Sequence, residues 1–80
     1  MHGNFTVYSK EGCPYCTKVQ EVLQLAGLRH VVYVLDRDFD KGGFYDQFGQ
    51  GSTFPQVVLD ATNLGGCTET VQYLKEKKLV

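Results

Sequence analysis

Tryptophan is missing from this chain, methionine occurs once and proline twice. A surplus of either charge is missing as well. Eight basic residues stand against nine acidic ones, for a formal net charge of −1, so there is no basic field to draw nucleic acid or an anionic bilayer. Neither partner is expected. The longest purely apolar or aromatic run is Val31-Val32-Tyr33-Val34-Leu35, far short of the ~20 residues that span a membrane. The opening Met1-His2-Gly3-Asn4-Phe5 carries neither the charged nor the apolar region of a signal peptide. These absences lead to the expectation of a cytoplasmic protein free of the membrane. Repeats, low-complexity tracts and linkers are also lacking, and a chain of 80 residues reads as one domain over 1–80.

Cysteine is scarce and odd in number. Of the three, two lie in Cys13-Pro14-Tyr15-Cys16 and the third is Cys67. A secreted domain stapled by disulfides wants an even count. A reducing compartment with a dithiol kept for chemistry fits better.

Phe5-Thr6-Val7-Tyr8-Ser9 alternates and is rich in β-formers, which predicts a first strand. Lys10-Glu11-Gly12 interrupts it, and Pro14 suits the first turn of a helix, where a missing N–H costs nothing. Val19, Val22, Leu23 and Ala26 then recur at helical spacing, with Gly27 placed to end the helix. Residues 30–35 read as a second strand, and their unbroken apolar run predicts burial on both faces, as in a parallel sheet. Strand, helix and strand make a βαβ unit with a right-handed crossover.

The second half is less sharply patterned. Residues 36–40 read as a charged loop, and Phe44, Tyr45 and Phe48 as the spacing of a short helix opening near Lys41. Pro55 precedes a third strand over 56–59; residues 60–63 read as a hairpin turn into a very short fourth strand at Leu64. After Gly65-Gly66, Thr68 is expected to cap a last helix from Glu69 to about Lys78. The order is β-α-β-α-β-β-α, with Phe5, Val7, Phe44, Phe48, Val57, Leu59, Val71 and Leu74 as core.

Cys-x-x-Cys at the mouth of a helix inside a βαβ unit points to redox chemistry. A helix N-terminus concentrates partial positive charge and free N–H groups, which favour a thiolate on Cys13. Cys16 lies one turn in, in register with Val19, Leu23 and Ala26, so an exposed attacker and a sheltered resolver are expected. A low pKa raises the thiolate fraction but lowers intrinsic nucleophilicity, and the two effects roughly cancel for attack; the gain comes when Cys13 leaves a mixed disulfide. The competing reading, half of a zinc site, needs two further ligands, and the chain offers only Cys67, His2 and His30, none in a second paired spacing. No metal is expected. Cys67 alone reads as a small residue at a helix start.

With those residues in view, the sequence resembles a glutaredoxin. Cys13-Pro14-Tyr15-Cys16 is similar to that family's dithiol motif, Thr53-Phe54-Pro55 to its Thr-Val-Pro, and Gly65-Gly66-Cys67-Thr68-Glu69 to its Gly-Gly-Cys-Ser/Asp-Asp segment. Phe54 for Val and Glu69 for Asp are departures. The resemblance spans nearly the whole chain. It implies a thioredoxin-like three-layer α/β fold, a four-stranded mixed sheet with three helices, and a cis proline at Pro55 facing the site.

The resemblance further implies a glutathione-dependent thiol–disulfide oxidoreductase that takes glutathione as its reductant. Glutathione would form a mixed disulfide with Cys13, pair with the backbone of Phe54, and set its γ-glutamyl carboxylate on the amides of Cys67 and Thr68, after Gly66, at a helix N-terminus suited to an anion. Glu69 would take the ammonium group, Lys10 the glycine carboxylate, with Gln50 a neutral substitute for a basic residue, and Tyr15 would flank the sulfur. Lys10 and Tyr15 also read as plain surface residues, and Thr68 and Glu69 as a cap and a dipole partner. Expected partners are glutathione and disulfide-containing or glutathionylated proteins, ribonucleotide reductase among the candidates, with the chain acting as a monomer. Two other functions compete: a small thioredoxin fed by a flavoprotein reductase, against which stands the lack of Trp and Gly-Pro around the cysteines, and an iron–sulfur carrier sharing a cluster through Cys13 and glutathione, against which stands the second cysteine.

Overall fold

A computed structural model describes residues 3–80; His2, weighed above as a zinc ligand, lies outside the described residues. Seven elements follow the expected order: β1 (Phe5–Ser9), α1 (Pro14–Leu25), β2 (His30–Val34), α2 (Lys41–Phe48), β3 (Gln56–Leu59), β4 (Thr62–Gly65) and α3 (Cys67–Glu76). They build one four-stranded mixed sheet in the order β2-β1-β3-β4. β1 runs parallel to β2, with Phe5 opposite His30 and Ser9 opposite Val34, and antiparallel to β3, with Phe5 opposite Leu59.

Alternation along β1 sorts the core into two chemistries. Phe5 and Val7 point to one face, where they meet Val19 and Leu23 of α1, Leu28, Val57 of β3, and Cys67 and Leu74 of α3. Tyr8 points to the other face, into an aromatic cluster with Tyr33, Phe39 and Phe48, which Phe44 of α2 joins. Helices α1 and α3 thus cover the aliphatic face and α2 the aromatic one, the expected thioredoxin-like three layers. No helix among the described residues is long and apolar enough to cross a membrane.

Several local expectations are corrected. β2 is not buried on both faces: it lies at the sheet edge, and α2 leaves Val31 and Tyr33 47% and 41% exposed. Leu35 falls outside it, in an isolated bridge with Phe39. Residues 36–40 form the expected loop, and within it the half-buried Phe39 ring stacks on Phe44 at 5.9 Å between ring centroids. The Asp38 carboxylate ties this corner, accepting the Val34 N–H at 2.8 Å and pairing with Arg37 at 3.0 Å; the Val34 amide first, then Arg37, hold its pKa below the usual carboxylate value. The hairpin after β3 turns in Asp60-Ala61 alone, because Asp60 takes a left-handed backbone (φ +54°) and Thr62 already pairs with Leu59. Of the expected core, Phe48, Leu59 and Val71 are half-buried.

The helix ends follow from local chemistry. α1 closes with the Gly27 N–H on the Gln24 carbonyl and the Leu28 N–H on that of Leu23, a closure that needs the left-handed φ of +69° Gly27 supplies. Asp40 caps α2 by accepting the Gly43 N–H at 2.8 Å.

Candidate active site

The β1–α1 loop delivers Cys13 to the N-cap of α1, with Pro14 in the first turn and Cys16 a turn further in. The Cys16 N–H points at Cys13 Sγ, 3.2 Å away, so this sulfur occupies the place of a capping oxygen and shares the positive end of α1. The two cysteines form a disulfide, their Cα atoms 5.2 Å apart. Cys16 is 1% exposed, as expected of a resolver; Cys13 is 9% exposed, against the expectation of an open attacker. In the oxidised pair each sulfur covers the other, and the Phe54 carbonyl oxygen lies 3.9 Å from Cys13 Sγ.

The α2–β3 loop supplies that carbonyl. The Phe54–Pro55 peptide is cis, as the resemblance implied, Pro55 is buried, and the Gln56 side chain donates to the Thr53 carbonyl at 3.0 Å. The third wall is the start of α3. Thr68 does not cap it: the N-cap is Gly66, whose N–H donates to Glu69 Oε1 at 2.8 Å, and the helix begins at Cys67. A hydroxyl is unnecessary there because the Glu69 side chain reaches back to the cap instead. A Cβ on Gly66 would lie 3.1 Å from Glu69 Oε1 and 3.4 Å from the Pro55 carbonyl oxygen, so a side chain there would press on the Glu69 carboxylate that caps the helix. The first amides of α3 are left without intrahelical partners, which makes this end receptive to an anion.

Tyr15, Thr53, Phe54, Pro55, Gly66, Cys67, Thr68 and Glu69 together line one cleft of about 230 Å³ beside the disulfide. The structure therefore gathers most of the residues singled out in the sequence into one place. Tyr15 is 63% exposed at its edge. Lys10 is exposed and does not line the cleft itself; its Nζ lies 5.3 Å from the centroid of the Phe54 ring, which does. Gln50 sits in the exposed turn after α2 and is not among the residues of the cleft. No cluster of three or more His, Cys, Asp or Glu that could hold a metal is found among the described residues.

Cys67 is free and buried. Burial pushes its thiol pKa up; Lys18 opposes this and Glu69 adds to it. Lys18, one turn beyond Tyr15 on α1, escaped the sequence reading, although its spacing from Tyr15 placed both on one helix face. With them and α3 residues Thr68, Val71, Gln72 and Lys75, Cys67 borders a neighbouring hollow of about 220 Å³. A thiol held above its ordinary pKa stays protonated at neutral pH and reacts slowly. In the reduced protein at pH 7, iodoacetamide is expected to alkylate Cys13 well before Cys67. Peptide mass spectrometry of timed quenches checks this, and comparable rates at the two sites would contradict it.

A model of the glutaredoxin family matches residues 5–63. Among curated proteins, the chain is 37% identical over 78 residues to glutaredoxin-C2 of Arabidopsis thaliana, covering 92% of this chain and 69% of that protein. It is 30% identical over 66 residues to glutaredoxin 3 of Escherichia coli K12, covering 82% and 80%. Among solved structures, the buckwheat glutaredoxin–glutathione complex superposes with a TM-score of 0.78 at 28% identity, over 94% of this chain and 71% of the other. Glutaredoxin 1 from Francisella tularensis, complexed with cacodylate, gives 0.77 at 26% identity over 95% of each chain.

Proposed function

The chain belongs to the glutaredoxin family, whose members are thiol–disulfide oxidoreductases, and from that premise we propose that it reduces glutathione mixed disulfides and protein disulfides through Cys13 and Cys16, with glutathione as the reductant. The observation that carries this reading is the cleft beside the Cys13–Cys16 disulfide, which offers a backbone edge at Phe54 and a helix N-terminus at Cys67 and Thr68. The buckwheat relative was solved with glutathione bound, which supports the same ligand here.

Reduction of a glutathionylated protein takes two exchanges. The Cys13 thiolate attacks the glutathione sulfur, forming a Cys13–glutathione disulfide as the protein thiolate leaves and takes a proton from water. A second glutathione thiolate then attacks the bound glutathione sulfur, forming glutathione disulfide and returning Cys13 as thiolate. The Cys16 N–H stabilises that departing sulfur, and low pKa in the leaving thiol speeds this step. For a protein disulfide, the Cys13 thiolate attacks one substrate sulfur, and the substrate's S–S bond breaks as its other sulfur leaves as a thiolate and takes a proton from water. Cys16, giving up its proton, then attacks Cys13 Sγ, releasing the substrate sulfur held there as a thiolate that is protonated in turn and leaving the disulfide seen here. Two glutathiones reduce that disulfide, becoming one glutathione disulfide.

In the cleft, the γ-glutamyl carboxylate would accept from the amides of Cys67 and Thr68, Glu69 would face the ammonium group, and Lys10 the glycine carboxylate. Tyr15 would flank the sulfur and Thr53 would help bound the Phe54 edge, with Gly66 leaving room beneath. Gln50 would stand further out, near the glycine end. We infer a reducing cytoplasmic setting in which a glutathione pool recharges the dithiol, and action as a monomer.

An assay coupling glutathione and glutathione reductase to a small mixed disulfide, run beside one with thioredoxin reductase, tests the reading. Turnover is expected only in the first. Turnover sustained by thioredoxin reductase and absent with glutathione would replace it with the thioredoxin-like reading.

A further inference from the structure

Phe54 stands where the glutaredoxin motif named above carries valine, and its ring has a definite place. It stacks on Phe44 with centroids 4.1 Å apart and planes at 10°, and lies 6.2 Å from Phe39 at 19°. Phe39 and Phe44 are themselves stacked at 5.9 Å. The three rings are near-parallel and are anchored through Phe44, which is fully buried on α2. Lys10 Nζ lies 5.3 Å from the Phe54 ring centroid, within the reach of a cation–π contact. Valine has no ring face to offer a cation.

From this geometry we infer that Phe54 is a positioning residue: its ring holds the Lys10 ammonium beside the Cys13 cleft, so that the chain selects disulfides whose non-protein half ends in a carboxylate. The inference rests on the assignment of Lys10 to the glycine carboxylate made above. The physical reasoning is preorganisation. An exposed lysine samples many rotamers and loses that freedom when it pairs with a carboxylate. A ring face below the ammonium restricts it beforehand and leaves its donors on the open side, since an ammonium has three N–H bonds to give. Phe54 thus serves the site twice, its backbone carbonyl beside Cys13 Sγ and its ring beneath Lys10.

The test uses the full chain and one peptide in two forms: disulfide-linked to glutathione, and disulfide-linked to glutathione whose glycine carboxyl is an amide. The wild type is expected to prefer the carboxylate form through KM. Phe54→Val should lower that preference, read as the ratio of KM values for the two peptides, by about two- to fivefold, the size of a cation–π contact at an exposed site. Phe54→Tyr keeps a ring face and should retain the preference. Lys10→Ala should abolish it, and adding Phe54→Val to Lys10→Ala should change nothing more. A Phe54→Val variant that keeps the wild-type preference, or is slowed equally on both peptides, overturns the inference, as does additivity with Lys10→Ala. If Lys10→Ala itself keeps the preference, the assignment of Lys10 fails and the inference with it, while turnover with glutathione in the coupled assay would still stand.

Discussion

Cys13→Ser is expected to abolish all exchange activity, whereas Cys16→Ser keeps removal of glutathione from glutathionylated proteins and loses most reduction of protein disulfides. The asymmetry follows from where the two sulfurs sit. Cys13 occupies the N-cap of α1 and accepts the Cys16 N–H at 3.2 Å; an un-ionised hydroxyl in its place is no nucleophile toward sulfur. Cys16 is sealed beneath it at 1% exposure, so its only reachable target is Cys13 Sγ. A Cys13–glutathione adduct can be resolved from outside by a second glutathione. A Cys13–protein adduct is crowded from outside and relies on the neighbour one turn away. Well-oriented intramolecular groups reach effective molarities of ~10⁵ M or more, so losing Cys16 should cost at least about tenfold on protein disulfides. Initial rates of both variants on a glutathionylated protein and on a protein disulfide check this. Equal losses from the two variants on the glutathionylated substrate would contradict the division of roles.

How much of this was legible in the residues differs from segment to segment. The βαβ unit could be read because its signals are local: alternation in β1, Pro14 and the Val19-Val22-Leu23 spacing in α1, and Gly27 at its end. The burial of β2 was misread because an apolar run records composition, whereas exposure depends on strand order. Placing β3 on the far side of β1 leaves β2 at the edge. The loop at 36–40 was legible, but the place of the Phe39 ring was not. Four charged neighbours mark 36–40 as loop, and contacts with Tyr8, Phe44 and Phe54 draw that one ring inward. At the cleft, motifs carried the backbone positions well: Phe54, Pro55, Gly66, Cys67 and Thr68 all line it. Side-chain partners were harder, since that Lys10 would sit over Phe54 and Lys18 near Cys67 depends on how loops and helices meet. The cap of α3 shows the limit of residue preferences. Thr68 is a good capping type, yet Glu69 bonding back to the Gly66 N–H sets the helix start two residues earlier.

That same arrangement decides which group at the start of α3 should matter most for glutathione. Removing the Thr68 amide by Thr68→Pro is expected to raise KM for a glutathionylated peptide about 10- to 100-fold, the worth of one charge-assisted hydrogen bond of roughly 1.5–3 kcal/mol. Proline is tolerated in a first turn because the N–H it removes has no intrahelical partner. Glu69→Gln should have a far smaller effect, at most about fivefold, because an exposed ion pair with the ammonium group contributes only ~0.2–1 kcal/mol. Its amide oxygen can still accept from the Gly66 N–H, which Glu69 Oε1 now does at 2.8 Å, so the helix start is kept. Thr68→Ala leaves the amide in place and should change KM little, because Thr68 is exposed and its hydroxyl does not cap α3. In all three kcat should stay near the wild-type value, since the carboxylate binds away from the reacting sulfur and its contacts stabilise ground and transition states alike. Steady-state kinetics against peptide concentration, with thermal melts to show that Thr68→Pro is folded, check the order of effects. A Glu69→Gln loss exceeding that of a folded Thr68→Pro would transfer the anion site from the helix amides to the acidic side chain's network. A fall in kcat at constant KM would place α3 at the sulfur instead.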